Sequence, residues 1–473
     1  MKINLFFILI LFNLHLVLCA QNAELELVRV EFWQPQDQID HWIRIKEDGS
    51  NGVEISEGQK TKAWMKNISG SISKKPVAYV SGSTPRIGAC FKKAGENVSC
   101  SGSDGLPSNN SDFFGRAIIE GIDQSGAIVF SSKLPIKPLV KIGSGNTYEY
   151  IATAIDDNLE IGVIHYFESF KIKWEWSRTD IELGQWFDAG MSENVVYVTL
   201  EKPIKEKPGS GYSHFLTLIH IGCKYGDKAT SNAALVEQVW AYFEERQVCR
   251  ADGEPLKYYG QWSNGNLGVN TQELLTSKDG KCTSWAKFLL DIMKLQGFQE
   301  PDNLITVRGY LGNLVSSNRG FLIKNWQIIA PGTSGDVDFP YQNTKNNPNY
   351  TPQNTYDWTF EEVSFNSSLL AQNNNNCVSD FSNHVFVRIL GDFHDPSYGV
   401  KYGNPGFAMI PDPQFPGDEM LVETVPYFKD TAINAFYYSE IPTPNTINIH
   451  INTIFSPFFI YIDPPAAPEL DDY

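Results

Sequence analysis

Two periodicities divide this chain. From residue 24 to about 205, apolar positions recur every second residue in short runs: LELVRVEFW, KPVAYVSG, RIGACF, RAIIEGI and GAIVFSSKL, then YEYIATAI, EIGVIHYF, FKIKWEWS and NVVYVTLEKP. Clusters of Gly, Ser, Asn and Pro separate them, which is the pattern of strands and turns. A β-sandwich-like domain over 21–140 and a second β-rich module over 141–210 follow, closed by the hinge-like KEKPGSGY. The period then lengthens. SNAALVEQVWAYFEERQ (231–247) places Leu235, Val236, Val239, Trp240 and Phe243 on one helical face, and DGKCTSWAKFLLDIMKLQG (279–297) does the same with Trp285, Ala286, Leu289, Ile292 and Met293. Strand-like runs return at LITVRGYL (304–311), GFLIKNWQIIA (320–330) and NHVFVRIL (383–390). MLVETVPYF, AINAFYYSEI and NTINIHI then make a β-rich C-terminal extension over 411–473.

Cys282 stands where a glycine-containing turn opens the second helix. A thiol in a first helical turn feels the positive end of the dipole and the N–H groups that have no partner within the helix, and both favour thiolate. The segment NHVFVRILGDFHDPSYG (383–399) supplies a histidine and an aspartate. Alternation puts Val385, Val387 and Ile389 on one face and His384, Phe386 and Arg388 on the other. A two-residue turn at Leu390-Gly391 sets His384 opposite Ser397, with Asp395 diagonal to it and within side-chain reach. His394, on the other face, is expected to meet solvent. Asp395 then orients one imidazole nitrogen of His384, and the other receives the proton of Cys282.

GKC at the head of an apolar helix, followed by NHVFV and a return strand ending in DPSYG, resembles the transglutaminase-like superfamily of papain-type folds. The similarity spans roughly residues 211–410, with a helix before the cysteine, the linker NTQELLTSKDGKC (270–282) and strands after it. It implies an α+β fold: a transglutaminase-like (papain-type) catalytic domain carrying N-terminal β-sandwich-like modules and a C-terminal β extension. It also implies an indole upstream of the cysteine as an oxyanion donor beside the Cys282 N–H. Trp262 in GQWSNGN, with Gln261 beside it, is the candidate. Nothing in the chain matches the family's acidic calcium sites, so no metal and no cofactor are expected. The interval from His384 to Asp395 is short for the family, and the polar stretch 331–376 is long enough to form a lid or substrate wall.

The rest bounds the setting. Lys2, the apolar run to Leu18 and LCA (18–20) read as an export signal over 1–20, giving a secreted, periplasmic or cell-surface protein. No later run is long and apolar enough to span a bilayer; TIFSPFFIYI (453–462) reads as a buried strand. With 473 residues, two to four domains are expected. A formal charge of −17 excludes nucleic acid as the natural partner. Once export is accepted, Cys90 and Cys100 suit a hairpin disulfide, Cys223 and Cys249 bracket the first long helix as a second pair, and Cys377 is left over.

These features lead to thiol-dependent acyl transfer or hydrolysis on amide bonds of a protein or peptide. Cys282 is the nucleophile, His384 the proton carrier and Asp395 its orienter. A papain-type cysteine peptidase and an inactive binding or scaffold protein that keeps the fold are the alternatives.

Overall fold

The computed structural model describes residues 24–49, 52–56, 59–96, 112–142, 146–204, 213–259, 268–299, 304–310, 318–323, 326–329, 359–362, 370–374, 380–381, 383–403, 406–411, 419–425, 433–443, 446–452 and 459–462. They divide into two compact units. One is drawn from Met1–Glu47, Asn51–Leu235 and Met293–Phe298, the other from Asp48–Ser50, Val236–Ile292 and Gln299–Tyr473.

In the first unit the two-residue alternation yields two sheets. Six strands run in the order Ile72–Lys74, Lys60–Lys66, Leu25–Trp33, Arg86–Lys93, Thr147–Ala154 and Val140–Ile142. Seven run in the order Ser213–Phe215, Trp42–Lys46, Val77–Val80, Phe187–Thr199, His165–Ser177, Phe114–Ile122 and Ile128–Pro138. Strands from 21–140 and from 141–210 therefore share both sheets. One face of each buries large side chains into a common core. Trp174 meets Phe91 at 5.6 Å and Tyr150 at 5.3 Å between ring centroids, edge to face. Full burial of side chains this size stabilises by roughly 1.5–3 kcal/mol each. Helix α1 (Leu216–Tyr225) packs on the strand Phe187–Thr199 and buries Leu218, Ile219, Ile221 and Cys223.

The second unit contains most of α2 (Asn232–Glu244), all of α3 (Thr271–Ser277), and α4 (Cys282–Leu295) up to Ile292. Its main sheet has seven strands in the order Val400–Gly403, Asp392–Asp395, Asn383–Ile389, Leu304–Tyr310, Phe459–Ile462, Glu419–Thr424 and Gly406–Pro411. A four-stranded sheet joins Asp380–Phe381, Asn318–Ile323, Ile433–Thr443 and Thr446–Asn452. Trp326–Ile329 pairs with Thr359–Glu362. The single expected strand over 320–330 is thus two, in different sheets.

The expected α+β, papain-type architecture is overturned. Among the described residues the protein is mostly β, with 47% strand, 17% helix and four helices among several sheets. The expectation rested on two amphipathic helices, whereas the described β-branched and aromatic runs beyond residue 300 enter sheets. Among the described residues no helix is long and apolar enough to cross a membrane.

Candidate functional site

The cysteine segment is fixed before its helix begins. Asn270 caps α3, accepting from the Glu273 N–H at 2.8 Å, while Glu273 Oε2 accepts from the Val269 N–H at 2.8 Å. This reciprocal pairing satisfies two N–H groups at the helix start. Lys278 ends α3 in the left-handed region, and Asp279–Gly280 then pairs in parallel with Lys257–Tyr258. The Lys281 N–H donates to the Gly268 carbonyl at 3.1 Å, and the Trp285 N–H closes the first turn of α4 on the Lys281 carbonyl at 3.2 Å. Gly280 is required here because a Cβ would collide with Ser284 Oγ and stand 2.9 Å from Leu274 Cδ1. Cys282 emerges in the first turn of α4, 5% exposed, and Trp285, Ala286, Leu289 and Ile292 of α4 are buried.

The histidine and aspartate come from one hairpin. Ile389 pairs with Asp392, so the turn is Leu390-Gly391, with both residues at positive φ, +54° and +91°. That is a two-residue primed turn, matched to strand twist and favouring glycine at its second position. Extending the register sets His384 against Ser397, and the side chains meet as the diagonal requires. His384 Nε2 donates to Asp395 Oδ2 at 2.6 Å, and neither residue is exposed. Val307 flanks His384 on the neighbouring strand. The Ser397 N–H donates to Asp395 Oδ1 at 3.1 Å, and the Tyr402 hydroxyl donates to Oδ2 at 2.8 Å.

Burial alone would strip the proton from the His384 imidazole. The charge of Asp395 and its hydrogen bond overcome that, with further help from the adjacent Cys282 thiol, and the group is raised to about 10. Cys282, His384 and Asp395 are therefore together. With Nε2 committed to Asp395, Nδ1 is the nitrogen left to meet the thiol.

Several partners had no signal in the residue pattern. Tyr398 lays its ring 5.6 Å from that of His384, and Tyr258 packs edge-on against Tyr398 at 5.2 Å. Gln372, fully buried, donates from Nε2 to the carbonyls of Phe243 at 2.8 Å and Pro396 at 2.9 Å; its own carbonyl accepts from the Tyr258 N–H. One residue thus ties the turn after Asp395 to α2 through its side chain, and to the strand beside Gly280 through its backbone carbonyl. Asn373 and Asn374 donate to the carbonyls of Val248, Leu256, Tyr258 and Tyr259. These two asparagines act as a brace.

Other expectations part from the structure. His394 does not face solvent: it is 2% exposed, edge-on to Trp240 at 4.7 Å, and lowered to about 4 by burial and then by Lys401. Cys223 and Cys249 do not pair, and both are free thiols. Cys223 Sγ donates to the Val198 carbonyl and accepts from Gln296 Nε2, whereas Cys249 Sγ donates to the Gln247 carbonyl. Cys90 is disulfide-bonded, and its expected partner, Cys100, lies outside the described residues. So do Trp262, Gln261, Cys377, the export segment and most of the stretch 331–376. Among the described residues no cluster of acidic, histidine and cysteine side chains could hold a metal ion.

Neither protein-family models nor curated proteins give any match to this chain. The functional reading rests on the chemistry of the site.

Proposed function

We propose that the protein performs thiol-dependent acyl transfer or hydrolysis on amide bonds of a protein or peptide. The observation that carries this is the fully buried His384–Asp395 hydrogen bond of 2.6 Å, with Cys282 beside the same imidazole. The proton shared between Cys282 and His384 is held on the imidazole at Nδ1, and sulfur attacks the amide carbonyl carbon. The N–H of Cys282, at a helix start, is the candidate oxyanion donor. Collapse breaks the C–N bond, the imidazolium protonates the departing amine, and a thioester remains on Cys282. Water or a primary amine then attacks the thioester, His384 takes its proton, and the sulfur leaves and regains a proton. Asp395 keeps the imidazole in one orientation throughout. This is the chemistry the transglutaminase-like resemblance implied, retained for the site and not for the fold. Export remains part of the proposal, and the disulfide at Cys90 supports an oxidising compartment.

The test is a glutamine-containing peptide incubated with a labelled primary amine and read by mass. Amine addition, deamidation or peptide cleavage that requires both Cys282 and His384 supports the proposal and identifies the acceptor. The deep burial of the triad favours a second reading, a binding or scaffold protein with an occluded site. No turnover, together with ordinary-thiol alkylation of Cys282 that His384→Ala leaves unchanged, would establish that reading instead.

A further inference from the structure

Asp395 has more donors than a histidine orienter needs. Its Oδ2 serves His384 Nε2 at 2.6 Å and the Tyr402 hydroxyl at 2.8 Å, while Oδ1 takes the Ser397 N–H. Tyr402 reaches it from the next strand of the sheet. The strand Asp392–Asp395 pairs with Val400–Gly403, Asp395 lies against Val400, and the ring two residues on comes back over the carboxylate. Tyr402 is unexposed, and its ring is wedged against Phe386 at 5.4 Å. Burial, and then the charge of Asp395, push its own ionisation well above the ordinary phenol range. The hydroxyl therefore remains a neutral donor at any pH the protein meets.

Two donors on one oxygen compete for its charge. We propose that Tyr402 is a positioning residue for the triad, acting through Asp395: its hydroxyl fixes the carboxylate and draws off part of the charge that would otherwise hold the proton on His384. This rests on the acyl-transfer reading and adds a tuning element to it. An imidazolium gripped too tightly cannot return as the base that deacylation requires. The titratable groups beside the pair are His384, Cys282 and Tyr398; Arg246 bonds the Tyr398 carbonyl, and His394 and Lys401, on the same two strands, turn to Trp240 instead. Of these, His384 alone shares Oδ2 with the hydroxyl.

The experiment is the rate of Cys282 alkylation by iodoacetamide as a function of pH, which needs no knowledge of the substrate. Wild type, Tyr402→Phe, His384→Ala and a protein carrying 3-fluorotyrosine at position 402 are compared. Phenylalanine keeps the ring against Phe386 and removes only the donor. The alkaline inflection, where His384 loses its proton, is expected to move up by at least about half a pH unit in Tyr402→Phe, roughly a threefold gain in proton affinity. Fluorotyrosine, a stronger donor in the same volume, is expected to move it down. A purely structural role would change the amplitude or melting temperature and leave the inflection in place. If rapid labelling needs His384 but the inflection is unmoved or lowered in Tyr402→Phe, the role of Tyr402 is overturned while the acyl-transfer reading stands. Labelling that is ordinary in wild type and indifferent to His384→Ala overturns the underlying reading itself.

Discussion

Two buried cysteines, one in each unit, show what burial does and does not decide. Cys223 lies in α1 of the first unit with no exposure, bonded to the Val198 carbonyl and Gln296, and burial pushes its thiol up to about 12. Cys282 is nearly as buried, yet it opens a helix and has an imidazole beside it. Cys223 is an ordinary core thiol. The difference lies in the helix end each occupies and in whether a base is within reach. The histidines divide in the same way. His220 in the first unit receives the Tyr197 hydroxyl and is lowered to about 4, by burial and then by Lys224. His384 is buried more deeply than His220 and yet is raised, because a carboxylate shares its pocket.

The largest expected effect breaks the contrast at its chemical end. His384→Ala should reduce amide turnover by roughly 10²–10⁴-fold. It should also slow Cys282 alkylation to the pace of an ordinary thiol while leaving Cys223 unreactive in the native protein. Peptide mapping after brief alkylation reads both sites at once. Next, Asp395→Ala leaves a buried imidazolium without its counter-charge and should destabilise the second unit by roughly 3–5 kcal/mol. Urea unfolding followed at tryptophan would measure it, and Cys223→Ala should cost less because no charge is stranded.

A glycine pair sharpens the comparison. A Cβ at Gly121 would stand 2.7 Å from the Phe167 ring in the first unit, and one at Gly280 would collide with Ser284 in the second. Each alanine variant should lose roughly 1–3 kcal/mol by overpacking. Only Gly280→Ala should also slow Cys282 labelling, since only that residue sets the start of α4. Gentlest per step is the pH dependence, at most about 1.4 kcal/mol per pH unit for each group. The raised His384 stabilises fully below its ordinary value of 6.5, and that contribution is lost as pH rises through about 10. The lowered His220 works in the opposite sense: its contribution is full above 6.5 and is lost as pH falls through about 4. Urea midpoints of His384→Gln and His220→Gln against wild type should therefore diverge at opposite ends of the pH range.

What the residue order revealed follows from how local each signal is. The His384–Asp395 meeting was legible because a two-residue turn at Leu390-Gly391 and a period of two fix the diagonal within fifteen residues. The place of Cys282 was legible because Gly-Lys-Cys before an apolar face marks a helix start. Tyr402 was not, since its role depends on a third strand returning over Asp395. Gln372 and Asn373 gave no pattern because most of their partners are backbone carbonyls more than a hundred positions away. Helix α1 was missed because its near-continuous apolar run carries no polar face, and α3 because a seven-residue helix resembles a linker. The papain-type fold failed as an inference for the same reason: local likeness around three reactive residues does not determine how the later strands pair.

The most direct measurement is the order in which the free thiols of the native protein are alkylated at neutral pH, read by peptide mass over time. Cys249 is partly exposed, Cys282 is 5% exposed and Cys223 is fully buried. Cys282 is expected first, ahead of the more accessible Cys249, with Cys223 last. An order that follows exposure, with Cys249 ahead of Cys282, would contradict it.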